Sequence, residues 1–265
     1  FFLLLLSKKP ETMNTIALIT GASAGIGRAT ALLLARNDFN VIITGRRADR
    51  LESLETEIRS KTNAEVLSLA FDIRDHEAVN HAIDSLSGSW KRIDVLVNNA
   101  GLAAGMSRIQ EGDVQDWEQM IDTNVKGLLY MTRAVTPGMI QRQSGHVVNI
   151  GSIAGKEVYE KGNVYCATKH AVDALTKGMR IDLVDHNIRV TSVSPGMVET
   201  EFSLVRFKGD RDKADQVYQG FTPLYDEDIA ETILFVITRP PHVNVNDILV
   251  MPTAQANTAK TNRKQ

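Results

Sequence analysis

"TIALITGASAGIGRATALLLAR", residues 15–36, is the stretch on which the fold turns. An apolar run of strand length passes into a turn holding Gly21, Gly25 and Gly27, and the turn opens a segment of strong helix formers. Glycine allows the tight turn and lets backbone N–H groups approach a pyrophosphate at the positive end of the helix. The Gly-x-x-x-Gly-x-Gly spacing is a variant of the commoner dinucleotide fingerprint. Its position between a β-run and a helix gives it weight that glycines alone lack.

The pattern repeats along the chain. Further apolar runs of four to six residues follow as "NVIIT", "IDVLVN", "HVVNI" and "IRVTSV", with a weaker one, "AEVLSLA", between the second and third. Most lack period-two alternation, as strands buried on both faces of a parallel sheet should. Helix-like segments separate them at 25–36, 48–60, 75–87, 114–141, 163–186 and 226–238. This alternation predicts right-handed βαβ units in one doubly wound α/β sheet of about seven mostly parallel strands, with helices on both faces. No linker or repeat divides the chain, so one domain is expected from 14 to 255. Turn chemistry gathers after the strands, as "GASAGIG", "NAG", "GS" and "SPG". Ligands bind at that edge in open α/β sheets.

Bulk numbers narrow the function classes. The chain has 265 residues and a formal net charge of -2, which gives no electrostatic case for nucleic acid or an anionic membrane. Its single cysteine, Cys166, rules out an internal disulfide and fits a reducing, cytoplasmic setting. No metal-ligand pattern accompanies it. Residues 1–12, beginning "FFLLLL", lack the basic leader of a secretory signal and the length of a membrane span. We expect an N-terminal appendage there, with a short membrane-associating or organellar leader as the alternative. Residues 256–265 are expected to form a polar, mobile tail.

The second strand ends in "TGRRADR". A free ribose 2′-hydroxyl is usually held at this place by an acid, and a 2′-phosphate by arginine. Arg46 and Arg47 stand there with no acid beside them, so NADP(H) is expected over NAD. Asp72, in "FDIRD", falls after the third strand where an adenine amino group would lie, and Asp75 suits a helix N-cap.

"NVYCATK" places Tyr165 and Lys169 four apart on a helix, hence on one face. A free tyrosine has a pKa of about 10, and bringing it to neutrality takes about 4 kcal/mol of preference for phenolate. A cation about 4 Å away at an effective dielectric of about 20 supplies that amount. Lys169 is therefore expected to make Tyr165 a usable acid/base. Such pairs also arise by chance on exposed helices. Ser152 follows the fifth strand and reaches the same edge, either as turn chemistry or as a donor to a developing oxyanion. Asn124 is either a solvent-facing helix residue or an inward one that orders water.

With these residues in hand, the chain resembles the short-chain dehydrogenase/reductase family over residues 15 to about 252. The resemblance rests on "TGASAGIG", "NNAG" (98–101), Asn124, Ser152, "YCATK" and "SPG" (194–196), in family order and spacing, with no family position substituted. It implies a Rossmann-type fold with Tyr165 as general acid/base and Ser152 orienting the substrate oxygen. Lys169 would hold the nicotinamide ribose and lower the tyrosine pKa, and Asn124 would hold a relay water. Cofactor contacts are implied at Gly21, Ser23, Gly25, Ile26, Gly27, Arg46, Arg47, Asp72, Ile73, Asn98, Ala100, Tyr165, Lys169, Pro195, Gly196, Val198 and Thr200. The family is usually tetrameric.

"GMVETEFSLVRFKGD" (196–210), "IDTNVKGLLYMTRAVTPGM" (121–139) and "PTAQAN" (252–257) resemble the branch of NADP-dependent 3-hydroxy acid (serine, allo-threonine) dehydrogenases. This implies hydride transfer between NADP(H) and a 3-hydroxy acid, with 3-hydroxyalkanoates included, or the matching 3-oxo compound. A broad carbonyl, diketone or 3-oxoacyl ketoreductase is the alternative, and a non-catalytic nucleotide sensor a remote one. A homotetramer acting on a small-molecule substrate, with no nucleic-acid or membrane partner, is expected. Residues 197–225 would form a mobile lid over the substrate. Within it Phe202 and Arg206 are the candidate substrate contacts, with Lys208 the rival cation and Arg206 favoured for its bidentate geometry.

Overall fold

The computed structural model describes residues 15–264, so the appendage expected at residues 1–12 lies outside the described residues. The strands are β1 (Ile16–Ile19), β2 (Asn40–Gly45), β3 (Val66–Ala70), β4 (Val95–Asn98), β5 (Gly145–Ile150), β6 (Ile188–Pro195) and β7 (Asp247–Val250). They form a single sheet in the order β3-β2-β1-β4-β5-β6-β7, and every pairing is parallel. The chain reverses its winding at β1, which pairs with both β2 and β4. A crevice opens at such a switch point, beyond the carboxyl ends of the strands.

The missing alternation in the strands has a direct cause. Ala17, Ile19, Val41 and Ile43 face one core, while Ile16, Leu18 and Ile42 face the other, and all are buried. The first core is closed by helices α1 (Gly25–Arg36), α2 (Ala48–Lys61) and α9 (Asp226–Ile237), through Leu34, Leu54, Ile58, Ile229 and Ile233. The second is closed by α3 (His76–Asp84), α5 (Leu128–Arg142) and α6 (Asn163–Leu183), through Val79, Met131, Met139 and Val172. A strand clad on both faces has no polar side to show. Asp75 caps α3, accepting from the N–H groups of Glu77 and Ala78 at 3.0 Å each.

The structure departs from the sequence expectation in three places. The single helix expected over 114–141 is instead α4 (Val114–Ile121), a π-helical turn (Asp122–Gly127) and α5. A Cβ on Gly127 would lie 2.6 Å from Ile73, so only glycine lets this turn settle on the loop after β3. Second, the lid, which lacks a clear period in sequence, holds two short helices, α7 (Phe202–Arg206) and α8 (Arg211–Gln216). Third, the tail expected to be mobile is folded back onto the lid. The Lys264 N–H donates to the Gly220 carbonyl at 2.7 Å, and Arg263 donates to the Val217 carbonyl at 2.8 Å and covers the Phe221 ring. No helix among the described residues is long and apolar enough to cross a membrane.

Candidate active site

The crevice at the switch point is a cleft of about 360 Å³. Its adenosine-side wall is the turn between β1 and α1. Gly21 and Gly25 take positive φ values of 67° and 49°, a region that L side chains seldom enter. A Cβ on Gly21 would meet the Ala100 backbone at 2.9 Å, and one on Gly25 would meet Thr200 at 3.2 Å. The turn is thus bare backbone leading into a helix N-terminus, the arrangement a pyrophosphate requires. Gly27 lies behind the wall rather than in it. A Cβ there would strike the Gly21 carbonyl and the Asn99 amide, both at 2.5 Å, so its glycine serves close helix–strand packing.

Ser23, Ile26, Arg46, Arg47, Asp72 and Ile73 line the same end of the cleft. Arg47 donates to the Ser23 hydroxyl from Nε at 3.2 Å and from Nη2 at 3.0 Å. Asp72 lies 3.8 Å from Arg46 and is gripped by Arg74 at 2.6 Å. Burial works against its charge, yet the Arg74 hydrogen bonds hold the carboxyl below its usual range. Two exposed guanidiniums and an ionised carboxylate therefore face the place where a 2′-phosphate and an adenine would lie.

At the other end, Ser152, Tyr165, Lys169, Pro195, Gly196, Val198, Thr200 and Phe202 share the cleft. Ser152 begins a short 3-10 turn, its Oγ accepting from the Ala154 N–H at 3.1 Å, which fixes the hydroxyl at the end of β5. The Ser152 hydroxyl lies near enough to the Tyr165 phenol to favour its ionised form. The Lys169 ammonium donates to the Ile150 carbonyl at 2.8 Å. Burial lowers Lys169 to about 8. The Tyr165 phenol is pushed upward, chiefly by burial and then by Tyr159, while Arg206 and the Ser152 hydroxyl pull it down.

Burial weighs on both members of the Tyr165–Lys169 pair. Lys169 is spent on a backbone carbonyl and is itself destabilised as a cation, so burial dominates both groups. A cation from the lid also acts on Tyr165. The Arg206 guanidinium carbon sits 5.1 Å from the Tyr165 ring centre and 5.6 Å from those of Tyr159 and Phe202.

Three further expectations change. Asn98 does not reach the cleft. Its amide nitrogen donates to Thr132 at 3.0 Å and Asn149 at 2.9 Å, a buried polar ladder between β4, β5 and α5. Its neighbour Asn99 is the cleft residue, donating to the Thr20 carbonyl at 2.8 Å. Asn124 is inward, but its amide is consumed by protein. Oδ1 accepts from the Leu102 N–H at 2.8 Å, and Nδ2 donates to the Leu102 carbonyl at 2.8 Å and to Thr168 at 3.0 Å. Both donors of that side chain are taken, which leaves the second lone pair of Oδ1 to accept from a water. It remains beside the site, since a Cβ on Gly101 would lie 3.2 Å from Asn124 Oδ1 and 3.6 Å from Lys169 Nζ.

Arg206, the last of these, does not line the main cleft. It closes a smaller adjoining hollow that shares Tyr165 as a wall. One Nη donates to the Tyr159 hydroxyl, while Nε is buried without a hydrogen-bond partner among the described residues. Lys208 turns the other way, exposed and paired with Asp116 at 2.9 Å and Asp113 at 3.4 Å.

Several contributors escaped the sequence reading. Tyr159 holds Arg206, and Gly162 stays bare because a Cβ would lie 2.3 Å from the Tyr159 ring. Gln255, which sequence offers only within a branch marker, accepts from the Met197 N–H at 2.8 Å and packs where a Cβ on Gly196 would be. Glu201 bridges the lid to Arg47 and Arg50. Each depends on contacts far apart in sequence, which no local pattern announces.

A glycine turn at a helix N-terminus, with a buried serine, tyrosine and lysine at the neighbouring strand ends, marks a nucleotide-dependent oxidoreductase. Residues 15–210 match the short chain dehydrogenase family model, and the chain belongs to that family. It is 48% identical over 242 residues to the NADP-dependent 3-hydroxy acid dehydrogenase YdfG of Salmonella typhi, covering 91% of this chain and 96% of that protein. It is 45% identical over 249 residues to the NADP-dependent 3-hydroxy acid dehydrogenase of Schizosaccharomyces pombe, covering 94% and 96%. Among solved structures, the closed form of a serine dehydrogenase complexed with NADP+ superposes with a TM-score of 0.89 at 45% identity, covering 95% of this chain and all of that one. The Escherichia coli serine dehydrogenase gives a TM-score of 0.80 at 41% identity, covering 91% and all of that chain.

Proposed function

We propose that this chain moves a hydride between NADP(H) and a 3-hydroxy acid, serine and allo-threonine included, or the corresponding 3-oxo acid. The fit of the cofactor rests on the bare Gly21–Gly25 backbone, Arg46 and Arg47 at the end of β2, and Asp72 across from them. When bound, the nicotinamide supplies or accepts the hydride. The protein's own groups handle the oxygen. Ser152 Oγ donates to the substrate oxygen and fixes its distance from Tyr165. In reduction the Tyr165 hydroxyl gives its proton to that oxygen as the carbonyl becomes an alcohol. In oxidation the phenolate takes the proton back.

Tyr165 must therefore ionise in the working complex, and burial alone resists this. Arg206 and Ser152 both favour the phenolate. Lys169, lowered to about 8, can exchange a proton near neutral pH, and it reaches Ile150 beside Ser152. Asn124 orders Leu102 and Thr168 around it rather than carrying a proton through its amide.

The observation that carries the acid preference is Arg206. A buried guanidinium N–H with no partner costs free energy until an acceptor arrives. A substrate carboxylate in the hollow beside Tyr165 satisfies it with a charge-assisted hydrogen bond. The apolar wall made by Phe202 and Val205 favours a second reading, a broad carbonyl reductase in which Arg206 only positions aromatic rings. Comparing a 3-hydroxy acid with its neutral alcohol analogue in wild type and Arg206→Ala separates the two.

The same reading includes a homotetramer. Exposed apolar side chains support it, Ile121, Leu129 and Ile181 on α4 to α6 with Val184 just after α6, and Phe235 on α9 with Leu249 on the edge strand β7. Two self-complementary faces build a tetramer, where one would stop at a dimer. Sedimentation velocity checks this, and a monomeric mass would exclude it. A lone, buried Cys166 with no internal disulfide to form is consistent with a cytoplasmic setting.

A further inference from the structure

Glu201 opens the lid, one residue after Thr200, and its carboxylate crosses the cleft. It accepts from Arg50 Nη1 on both oxygens, at 2.7 and 2.9 Å, and from Arg47 Nη1 at 3.1 Å. Arg47 in turn spans to the Ser23 hydroxyl of the glycine turn. Ser23, Arg47, Glu201 and Arg50 thus form one chain of hydrogen bonds from the β1–α1 turn, over the start of α2, to the base of the lid. The partners are 151 and 154 residues apart in sequence, so the chain is purely tertiary. Burial opposes the Glu201 charge, yet the two arginines hold its carboxyl below the usual range.

The placement is specific. Arg46, Arg47 and Glu201 all line the cleft at the adenosine end, whereas the shown partner of Arg50 is Glu201 alone. A carboxylate beside a 2′-phosphate would repel it if the two faced each other directly. Arg47 stands between, with one edge of its guanidinium on Ser23 and one nitrogen on Glu201. Arg50 then has no evident task except to hold the lid.

We propose that Glu201 is a positioning residue for the cofactor, whose clasp with Arg47 and Arg50 closes the lid base over the adenosine end and slows nucleotide release. This rests on the reading that places the 2′-phosphate at Arg46 and Arg47. Opening the clasp costs two ion pairs at the mouth of the cleft before the nucleotide can leave. Because the clasp blocks an exit rather than reading a phosphate, it retains NADPH and NADH alike.

The test is stopped-flow displacement of bound NADPH, and separately of NADH, by excess NADP+, followed by nicotinamide fluorescence. Wild type, Glu201→Gln, Arg50→Gln and the double variant are compared. Partly exposed ion pairs of this kind set the expected effect, a dissociation rate about three- to tenfold faster in each single variant for both nucleotides. The double variant should match Glu201→Gln, since Glu201 is common to both pairs, and Arg50→Gln should lie at the low end of the range because Arg47 still holds Glu201. Unchanged or slower release from Glu201→Gln would show the carboxylate to be neutral or to compete with the phosphate, and would overturn the proposal. An additive double variant would overturn it too. Arg46→Ala, which leaves the clasp whole, tests the phosphate reading independently: it should weaken NADPH but not NADH.

Discussion

At the adenosine end of the cleft, the pyrophosphate wall comes from backbone, with glycines at positive φ, a helix N-terminus and short loops after β1, β2 and β3, and the Glu201 clasp reaches it from far along the chain. At the substrate end, the surfaces come from side chains that meet across the whole chain. Arg206 reaches Tyr159, Gln255 reaches Met197, and the last described residues reach the lid. The first kind of site is dictated by local geometry and tolerates little change. The second is assembled by tertiary contacts, so it varies more readily and carries specificity. The two ends should therefore respond separately to substitution.

The sharpest break is Tyr165→Phe. It removes the proton carrier and leaves the adenosine end untouched. Turnover should fall by about 10²- to 10⁴-fold, the range for a lost general acid/base, while NADPH titration by fluorescence gives an unchanged dissociation constant. A parallel loss of nucleotide binding would mean that the two ends are not separable.

The converse break is at Arg46 and Arg47. Replacing both with alanine removes two charge-assisted contacts, and the Michaelis constant for NADPH should rise by about 10- to 100-fold with that for NADH nearly constant. Equal effects on both nucleotides would remove the basis for the phosphate assignment. Because Arg47 also touches Glu201, a small common effect from the clasp is expected beneath the larger selective one.

Much of this contrast was legible before any coordinates. The doubly wound sheet followed from apolar runs without alternation, because strands packed by Leu34 and Ile229 on one face and Met131 and Met139 on the other have no solvent side. The cofactor turn was legible because positive φ needs glycine at fixed places. Asn98 and Asn99 show the limit. Adjacent residues on a strand end point to opposite sides, and sequence does not say which faces the cleft. The lid was illegible for a different reason. α7 and α8 are too short to show a period, and their long-range contacts, Lys208 with Asp116 and Arg263 with Val217, are invisible to any local window. The π turn at Asp122–Gly127 was missed because it hides inside a continuous helical pattern.

Lys169 sits where the two ends meet and gives a smaller, pH-dependent test. Its folded pKa, lowered from 10.5 to about 8 by burial, lies below the unfolded one. Below pH 8 both states are protonated, and the buried charge imposes its full penalty. Between pH 8 and 10.5 the unfolded state binds more protons, so stability rises with pH and levels off above that window. A gap of this size corresponds to about 3 kcal/mol, from which loss of the Ile150 hydrogen bond subtracts about 1 kcal/mol. Lys169→Met should be more stable than wild type by about 2 kcal/mol at pH 7 by denaturant unfolding. That advantage should shrink towards pH 10.5 and then reverse. A difference independent of pH would contradict the buried charge.

The most direct measurement of the account is the ratio of kcat/KM for a 3-hydroxy acid to that for its neutral alcohol analogue, with NADP+, in wild type and in Arg206→Ala. If Arg206 receives the carboxylate, wild type prefers the acid, and the variant loses that preference by about 10- to 100-fold, on top of a common loss on both substrates from the weaker support of the Tyr165 phenolate. If acid and alcohol fall together or stay together, Arg206 is packing for Tyr159 and Tyr165, and its role as the carboxylate clamp fails.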